Sequence, residues 1–227
     1  MKAVILAAGE GKRLRPITST RPKTMIPLAG TPYLAHTILG LKEAGIEQIL
    51  LVVGYKEKLI KDYFENIKKD FGVSIEFITQ KEYLGTAHAA GHAKDFINNE
   101  PFLLMYGDIL VDRIVFKEII QEFKKVKTDG LISLIKVDHP GNFGIISLDS
   151  NGFVEKITEK PTSELNLGNL ANAGIFIFDS MIFNAVEKTK KSIRDEFEFT
   201  DSIELLINQL NKKIYGYIIK DRFRWLS

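Results

Sequence analysis

Two patterns in the 227-residue sequence predict the α/β fold class, with a mostly parallel sheet flanked by helices. Over the first 130 residues, short apolar runs rich in β-branched residues alternate with amphipathic stretches of 3.6-residue period, which is typical of βα units. After Gly130 the apolar runs follow one another more quickly, and the turn-forming residues 149–152 separate two of them, which indicates antiparallel strands. We therefore expect a Rossmann-like mixed sheet with an antiparallel insertion in the second half.

The strands are predicted where several apolar residues, many of them Val or Ile, stand between turn-forming residues. The first contains the continuous run Val4, Ile5 and Leu6, as in a strand that is buried on both faces. In chain order the nine predicted strands cover residues 2–6, 48–53, 74–79, 102–106, 131–137, 144–148, 153–158, 174–178 and 214–219.

The helices are predicted where apolar residues recur every three or four positions and Lys, Glu or Asp occupy the opposite face. The Lys-rich stretches 56–69 and 124–127 fit such faces, and we interpret them as solvated. In chain order the six predicted helices cover residues 33–44, 58–71, 86–96, 116–126, 180–188 and 200–210.

Composition is that of an ordinary globular protein, with 45% hydrophobic and 26% charged residues. The net charge of +2 is too mild to imply a nucleic-acid partner, and no apolar run in the sequence has the length of a membrane span. The absence of cysteine excludes disulfides and thiol catalysis. The chain opens on a strand rather than on a signal segment, and no flexible linker divides it. We expect a cytoplasmic protein with a single domain over residues 1–227.

The segment from Leu6 to Lys23 carries the strongest functional signal. The first strand runs into residues 7–11, Ala-Ala-Gly-Glu-Gly, whose small side chains leave backbone N–H groups open to an anion. Arg13, Arg15 and Lys23 follow, and fixed cations suit a highly charged, reacting polyphosphate. The segment therefore predicts a loop that binds a triphosphate.

Two other phosphate-binding loops fit the segment poorly. The Walker A pattern G-x-x-x-x-G-K-S/T is absent, and the dinucleotide pattern G-x-G-x-x-G matches at Gly9 and Gly11 but has Leu14 in place of the third glycine. A dinucleotide site also needs a second strand about 20 residues further on. That region is the Pro-rich segment 16–32, which we expect not to form a strand. A dehydrogenase is therefore disfavoured.

From Leu6 to Lys23 the chain reads L-A-A-G-x-G-x-R-L-x-P-x-T-x-x-x-P-K without a gap. Further motifs follow in order: Gln80 with Leu84-Gly85-Thr86-Ala87, Tyr106-Gly107-Asp108, Phe143-Gly144-Ile145, Glu159-Lys160-Pro161, Asn172-Ala173-Gly174 and Glu198-Phe199-Thr200-Asp201. In this order they resemble the motifs of the sugar-1-phosphate nucleotidyltransferases over nearly the whole chain. The resemblance implies one catalytic domain, with a nucleotide-binding half over residues 1–130 and a sugar-binding half over residues 131–227. We expect no C-terminal left-handed β-helix, which many members of that family have.

The resemblance implies attack of a sugar-1-phosphate oxygen on the α-phosphorus of a nucleoside triphosphate, with release of pyrophosphate. Because the attacking phosphate is already ionised near neutral pH, the site needs no general base. It must offset the repulsion between two polyanions and hold the reacting oxygens in line. UTP or dTTP is favoured as the nucleotide, and glucose-1-phosphate or N-acetylglucosamine-1-phosphate as the sugar phosphate.

Three residues are predicted to be catalytic. Arg13 is expected to hold the β- and γ-phosphates, and Lys23 to lie between the α-phosphate and the sugar phosphate. Asp108 follows an apolar strand and is expected to bind Mg²⁺, the one cofactor predicted. The carboxyl ends of parallel strands meet at one edge of a sheet, so Gly9, Gln80 and Asp108 should converge there.

The predicted nucleotide-binding residues follow the first, third and fourth predicted strands. Gln80 offers a donor and an acceptor to the imide edge of uracil or thymine, and Gly85 leaves room for a base. Thr86 is expected to contact the base and to cap the helix that begins there. The full set is Leu6, Ala7, Ala8, Gly9, Gly11, Gln80, Gly85, Thr86, Tyr106 and Gly107.

The sugar-phosphate-binding residues are implied by the resemblance alone. They offer a backbone N–H, a carboxylate for sugar hydroxyls, a cation for the phosphate and an amide. Glu198 is a weaker candidate on the same side, and Thr200 is expected to cap the last helix. The four residues in this set are Gly144, Glu159, Lys160 and Asn172.

The last residues depart from the family pattern. In relatives a Trp-x-Asp segment near this point supplies a second metal carboxylate, whereas this chain has Trp225 followed by Leu226 and Ser227. A hydroxyl is a weaker Mg²⁺ ligand than a carboxylate. Three explanations stay open: a truncated chain, replacement of the ligand by water or by Asp112, or a member of the family with altered activity.

The sequence leaves several alternatives to the favoured function. His88 and His92 have the spacing of metal ligands on a helix, but no pattern supplies a third ligand, and we do not expect zinc. A guanylyltransferase or cytidylyltransferase of the same family is an alternative, as is a non-catalytic nucleotide-sugar-binding regulatory protein. The partners expected are a nucleoside triphosphate and a sugar-1-phosphate, with no nucleic acid and no membrane. Homo-oligomer formation is left open.

Overall fold

The computed structural model describes residues 1–159 and 168–227, and it leaves out the side chains of residues 68–70. Nine longer strands form one mixed sheet, and four two-residue strands pair outside it. The strands are β1 (Lys2–Ala7), β2 (Pro27–Leu28), β3 (Thr31–Pro32), β4 (Gln48–Val53), β5 (Ser74–Thr79), β6 (Phe102–Tyr106), β7 (Leu110–Val111), β8 (Gly130–Lys136), β9 (Gly144–Leu148), β10 (Val154–Glu159), β11 (Leu170–Phe178), β12 (Ile214–Ile218) and β13 (Trp225–Leu226).

Each of the nine predicted strands is present, and the largest shift is that of β11, which starts at Leu170 rather than at residue 174. Two predicted helices are shorter than expected. The helix predicted over residues 86–96 ends at Gly91, where tighter i to i−3 bonds from Ala93 and Lys94 replace the α-helical pattern. The helices are α1 (Tyr33–Glu43), α2 (Glu57–Phe71), α3 (Thr86–Gly91), α4 (Ile114–Lys125), α5 (Ile182–Val186) and α6 (Phe199–Leu210).

The centre of the sheet is parallel, and its second half is mostly antiparallel. β1 lies between β4 and β6 and runs parallel to both, and β5 extends the parallel part beyond β4. β11 runs antiparallel to β6 and to β8, and β9 and β10 continue the antiparallel part. The sheet therefore runs without interruption from the first half of the chain into the second.

Apolar side chains pack on both faces of this sheet. Alternate residues of β1 point to opposite sides, so that Ala3 and Ile5 belong to one buried cluster and Val4 to the other. All three are fully buried. The predicted turn over residues 149–152 is confirmed, with the Gly152 N–H donating to the Asp149 carbonyl oxygen (3.1 Å) between β9 and β10. In the part of the chain that the structure describes, no helix has the length and apolarity needed to cross a membrane.

The Pro-rich segment differs from expectation, because it forms a short hairpin. β2 and β3 pair in antiparallel fashion over two residues each, around Ala29 and Gly30. Both turn residues have positive φ, at 49° and 81°. The pairing is too short to replace the second strand of a dinucleotide-binding unit, and it leads directly into α1.

Candidate functional site

The loop after β1 presents unused backbone donors. The N–H groups of Gly9, Glu10 and Gly11 donate to no acceptor among the described residues, whereas the carbonyl oxygens of Leu6 and Ala8 accept from Gly107 and Tyr55, both at 2.9 Å. Gly11 has a φ of +73°, and a Cβ there would lie 2.9 Å from Cβ of Lys23. Glycine is therefore required at this position, and the loop offers a row of N–H groups to an anion.

Two residues that sequence reasoning missed hold this loop in place. Thr18 is fully buried, and its hydroxyl donates to the Gly11 carbonyl oxygen (3.1 Å). The hydroxyl of Tyr55, which follows β4, donates to the carbonyl oxygen of Thr18 (3.1 Å). The loop is therefore fixed by contacts within the segment and by the neighbouring strand. No motif in the sequence signals Tyr55.

Lys23 and Asp108 meet at the carboxyl ends of β1 and β6. Nζ of Lys23 lies 3.1 Å from Oδ2 of Asp108, and the lysine side chain is only 17% exposed, against 41% for the aspartate. Lys23 is therefore not an ordinary surface lysine. The pair places a fixed cation beside a carboxylate that faces solvent, at the edge where the strand order predicts a ligand.

The two arginines of the loop differ in their surroundings. Arg15 donates from Nε to Oε1 of Glu10 (2.8 Å), so its charge is neutralised within the loop. Arg13 is exposed and forms no ion pair with any of the described residues. Of the two, Arg13 is the one whose charge is available to an incoming anion.

Tyr33 links Asp108 to the C-terminal segment. Its hydroxyl lies 3.0 Å from the carbonyl oxygen of Asp108 and 3.2 Å from that of Leu226. Burial, followed by the charge of Asp108, raises the pKa of Tyr33, so the hydroxyl stays protonated and can donate. The residue after Leu226 therefore lies near Asp108, although the sequence contains no signal for Tyr33.

Further contacts fix the same segment. β13 pairs with β7, and the Trp225 indole N–H donates to the Ala173 carbonyl oxygen (2.8 Å). Oδ2 of Asp112 accepts from the backbone N–H of Arg224 (3.0 Å). Asp112 thus holds the C-terminal segment, in agreement with a structural rather than a ligand role.

Asp108 belongs to no cluster of three or more metal-ligating side chains among the described residues. Over residues 1–159 and 168–227, no three His, Cys, Asp or Glu side chains come together in a way that could hold a metal ion. Mg²⁺ is commonly bound by one or two carboxylates together with water and substrate phosphates. The solvent-facing carboxylate of Asp108, close to the open N–H groups of the loop after β1, fits a Mg²⁺ ion that arrives with a nucleotide.

Gln80 follows β5 and is almost completely buried, with 4% of its surface exposed. Its backbone N–H extends the ladder by donating to the Val53 carbonyl oxygen (2.8 Å). Its side-chain Nε2 lies 3.3 Å from the Gly85 carbonyl oxygen and 2.9 Å from Nδ1 of His88. Both hydrogens of the Gln80 amide are therefore used within the protein, and its role in binding a base stays a prediction.

The loop around Gly85 packs closely against the segment before α6. Gly85 has a φ of +113°, and a Cβ there would lie 2.5 Å from the carbonyl oxygen of Phe197. Close backbone approach thus explains the glycine. Thr86 does not cap α3, because its Oγ1 accepts from the backbone N–H of Phe199 (2.8 Å), the first residue of α6. Thr200 also does not cap α6, which has no side-chain cap.

Tyr106 and Gly107 form the end of β6. A Cβ on Gly107 would lie 2.8 Å from the Leu6 carbonyl oxygen, so glycine allows β6 and β1 to approach closely. Burial raises the pKa of Tyr106, and the charges of Glu159 and Glu198 raise it further, against hydrogen bonds from Thr86 and Asn172 that lower it. Its neutral hydroxyl lies between Thr86, a predicted nucleotide-binding residue, and Asn172, a predicted sugar-phosphate-binding residue.

Gly144 and Glu159 face each other across β9 and β10. They are register partners, and a Cβ on Gly144 would lie 2.8 Å from Oε2 of Glu159. Nη2 of Arg194 lies 3.3 Å from Oε1 of Glu159 and 2.6 Å from Oε1 of Glu198. Sequence reasoning missed Arg194, which joins Glu159 and Glu198, two residues expected to lie near the sugar phosphate. Lys160 lies outside the described residues.

Glu198 is 6% exposed and is held by Arg194 and by the Ser192 hydroxyl (3.3 Å). Burial raises its pKa, the positive charge of Arg194 lowers it, and the negative charges of Glu196 and Glu159 raise it again. Burial has the largest effect, and the net result is a raised pKa. Glu159 and Glu198 therefore carry more negative charge than Arg194 offsets.

Asn172 lies where β11 departs from regular pairing. The register with β8 shifts between Asn172 and Phe176, and the freed N–H of Ile175 donates to the buried Ser133 hydroxyl (3.1 Å). Oδ1 of Asn172 accepts from the Gly174 N–H (2.8 Å), within this irregularity. The amide NH₂ of Asn172 lies within reach of the Tyr106 hydroxyl, and its second hydrogen remains for a ligand.

His88 and His92 stack edge to face, with ring centroids 4.9 Å apart. Nδ1 of His88 is occupied by Gln80, and Nε2 of His92 is buried without a partner in the described part of the chain. Burial, followed by the charge of His88, lowers the pKa of His92. This arrangement is a packed pair beneath Gln80 rather than two convergent metal ligands.

Comparison with known proteins agrees with this architecture. The family model described as "Nucleotidyl transferase" matches residues 2–226. The chain is 43% identical over 216 residues to the bifunctional protein GlmU of Methanocaldococcus jannaschii, covering 95% of this chain and 48% of that protein. It is 39% identical over 208 residues to a low-salt glycan biosynthesis nucleotidyltransferase of Haloferax volcanii, covering 91% of this chain and 57% of that protein.

Among solved structures, a UDP-glucose pyrophosphorylase complexed with UDP-glucose superimposes with a TM-score of 0.88 at 26% identity. The match covers 98% of this chain and 91% of that structure. This chain spans about half the length of the curated relatives it matches.

Proposed function

The chain belongs to the sugar-1-phosphate nucleotidyltransferase family, and on this premise we propose that it joins a nucleoside triphosphate to a sugar-1-phosphate, with pyrophosphate as the second product. UTP or dTTP is the favoured nucleotide, and glucose-1-phosphate or N-acetylglucosamine-1-phosphate the favoured sugar phosphate. The observation that carries the proposal is the contact between Lys23 and Asp108 beside the unused N–H groups of the β1 loop. This edge combines donors, a fixed cation and a carboxylate.

The β1 loop is proposed to bind the triphosphate. Backbone N–H groups of Gly9 and Gly11 bind its phosphate oxygens, and exposed Arg13 binds the β- and γ-phosphates, which leave as pyrophosphate. Lys23, fixed by its packing against Gly11, lies between the α-phosphate and the sugar phosphate. Its charge offsets the negative charge that gathers on the α-phosphorus as the new bond forms.

Asp108 is proposed to bind Mg²⁺, in keeping with its solvent-facing carboxylate. When bound, the ion supplies charge neutralisation at the phosphates. Lys23 and Asp108 also offset each other's charge before the nucleotide arrives. Tyr33 holds the backbone of Asp108 in place.

The sugar side is proposed to bind the second substrate. Glu159 accepts hydroxyl groups of the sugar, the bare backbone of Gly144 lets the ring approach that carboxylate, and the amide NH₂ of Asn172 donates to a sugar oxygen. Arg194 holds Glu159 in position through the ion pair between them. The role of Lys160 as a further phosphate contact rests on its motif alone.

The remaining expectations belong to the same proposal. A single catalytic domain over residues 1–227 is supported by the one sheet that contains strands from both halves. A cytoplasmic location, expected from the sequence, is part of the same proposal. Of the nucleotide-binding set, Ala7 and Ala8 contribute only backbone groups, since their side chains are buried.

The proposal is tested by a matrix of assays. Purified protein is incubated with UTP, dTTP, CTP, GTP or ATP and with glucose-1-phosphate, N-acetylglucosamine-1-phosphate or mannose-1-phosphate, with and without Mg²⁺. We expect Mg²⁺-dependent formation of nucleotide sugar and pyrophosphate in equal amounts, with the highest rates for UTP or dTTP. Tight binding of a nucleotide sugar without product in any combination would contradict the enzyme and favour a regulatory binding protein.

A further inference from the structure

Gln80, Gly85 and His88 form a hydrogen-bonded cluster where β5 ends and α3 begins. Nε2 of Gln80 lies 3.3 Å from the Gly85 carbonyl oxygen and 2.9 Å from Nδ1 of His88. A carbonyl oxygen can only accept, so the Gln80 atom that faces it must be the amide nitrogen. The orientation of the Gln80 amide is therefore determined by its partners.

These contacts use every donor of the side chain. An amide nitrogen carries two hydrogens, and the Gly85 carbonyl oxygen and Nδ1 of His88 accept one each. Nδ1 must then be the unprotonated nitrogen of the His88 ring, with the ring hydrogen on Nε2. Gln80 therefore has no N–H left for a ligand.

The carbonyl oxygen of the Gln80 side chain is the group that remains. Within residues 1–159 and 168–227, Oε1 has no hydrogen-bond donor, yet it is not among the buried side-chain atoms that lack a partner. Oε1 therefore keeps contact with solvent, although the residue as a whole is only 4% exposed. The protein presents a single oriented acceptor at the end of β5.

We infer that His88 is a positioning residue that selects the nucleobase by holding Gln80 with its oxygen toward the ligand. The inference rests on the proposed function, because it gives a structural basis for the preference for UTP or dTTP stated there. Uracil and thymine carry an N–H at ring position 3, which can donate to Oε1, whereas cytosine carries a lone pair there. In a nearly buried site an unmatched acceptor is costly, so a fixed oxygen favours the imide bases.

The surroundings of His88 restrict its ring. His92 packs edge on against it, with centroids 4.9 Å apart, and Ala87, Ala89 and Ala90 are buried on the same short helix. If His88 were replaced by a residue without an acceptor, only the longer bond to Gly85 would hold the amide. Gln80 could then turn and present its NH₂ group to a base.

Two variants test the role of the acceptor. Asn and Leu have nearly the same shape, but only His88→Asn keeps an acceptor near the position of Nδ1, whereas His88→Leu removes it. Binding of UTP and of CTP is measured by calorimetry without a sugar phosphate, so the result does not depend on turnover. We expect the wild type and His88→Asn to prefer UTP by similar factors, and His88→Leu to lower the preference about tenfold.

Several outcomes would overturn the inference. They are a wild type that prefers CTP, an unchanged UTP-to-CTP ratio in folded His88→Leu, and an equal loss of preference in both variants. If His88→Leu does not fold, Gln80→Met removes the amide at constant length and must lose the preference. Failure of the proposed function has a different signature, because UTP would bind with the expected preference while no product formed with any substrate pair.

Discussion

The proposed phosphate side of the site (the β1 loop with Lys23) and its proposed sugar side (Glu159, Arg194 and Glu198) are held together by different means. On the phosphate side, Gly11, Thr18 and Lys23 belong to one continuous segment, whose backbone bonds close mostly on itself. On the sugar side, Glu159 and Arg194 come from segments 35 residues apart and are joined by an ion pair. The local loop can keep its geometry when its lysine binds a substrate. The geometry of the sugar side depends instead on an ion pair between distant segments.

The two sides also differ in the balance of their charges. Lys23 faces one carboxylate, and Arg13 faces none among the described residues, so the phosphate side has cations to spare for an anion. Arg194 faces two carboxylates, Glu159 and Glu198. We infer that the first region supplies charge to the reaction and that the second supplies acceptors to sugar hydroxyls.

The largest effect is expected for Lys23→Ala. The variant removes the cation beside the α-phosphate but keeps the Cβ that packs against Gly11, so kcat should fall by about 10²–10³-fold. The melting temperature should change little, because a partly exposed ion pair contributes only about 0–1 kcal/mol. Steady-state kinetics and thermal unfolding measure the two quantities.

Lys61→Ala is the matched control for this variant. It breaks the pair between Lys61 and Glu57 (2.8 Å) on α2 and should leave kcat unchanged. A loss of less than tenfold in Lys23→Ala would show that the phosphate side does not supply the charge we assign to it.

A smaller effect is expected for Arg194→Ala. Without the guanidinium, Glu159 and Glu198 lose a shared partner and their negative charges oppose the sugar phosphate. The KM for the sugar-1-phosphate should rise about tenfold, as expected for loss of hydrogen bonds to charged groups, while the KM for the triphosphate stays constant. Initial rates at varied concentrations of each substrate separate the two constants.

Lys191→Ala lies in the same segment and pairs with Asp195 (2.8 Å), so it serves as the control for Arg194→Ala. If both KM values rose together in Arg194→Ala, the arginine would not be specific to the sugar side.

The link between the two sides should have an effect on stability. The Thr86 hydroxyl accepts from the N–H of Phe199, and Thr86→Val removes this bond with little change of shape. We expect a loss of about 1 kcal/mol, which lowers the melting temperature by about 2–4 °C for a chain of this size. Thr20→Val, at an exposed position, is the control. Equal melting temperatures for Thr86→Val and the wild type would argue that this bond does not join the two sides.

The smallest effect concerns the pH dependence of stability. The pKa of Glu198 is raised in the folded state, chiefly by burial, so folding disfavours its ionised form. The contribution of Glu198 to the free energy of unfolding is fully present below the unfolded pKa of about 4.3. It is lost as the pH rises through the folded pKa. Glu198→Gln should therefore melt higher than the wild type at neutral pH and show no advantage below about pH 4. Thermal unfolding across this range would contradict the assignment if the advantage grew toward acid.

The contiguous parts of the molecule could be predicted from sequence. The strands follow from apolar runs, and the β1 loop follows from Gly9, Gly11 and Lys23, which stand close together in the chain. Their convergence with Asp108 followed from the rule that parallel strands end at one edge of the sheet. Periodicity and short motifs are therefore enough to predict the parallel centre of the sheet and the loop after β1.

The contacts between distant segments could not be predicted. The Tyr33 hydroxyl reaches residues 75 and 193 positions away, and no local pattern signals such partners. Thr86 was expected to cap its own helix, but the close approach of Gly85 to Phe197 brings the start of α6 within reach of its hydroxyl. The Gln80 amide donates to His88 because this residue lies in the first turn of α3, next to the end of β5. In each case tertiary packing decides which partner a polar group takes.

The proposed reaction uses both sides of the site at once, and an isotope experiment tests this most directly. The sugar-1-phosphate is prepared with ¹⁸O in the free oxygens of its phosphate, and it is incubated with UTP, Mg²⁺ and the protein. Mass spectrometry then locates the label. If the sugar phosphate attacks the α-phosphorus, all of the ¹⁸O will be found in the nucleotide sugar and the pyrophosphate will carry none. Label in orthophosphate, or pyrophosphate formed without a nucleotide sugar, would contradict the account.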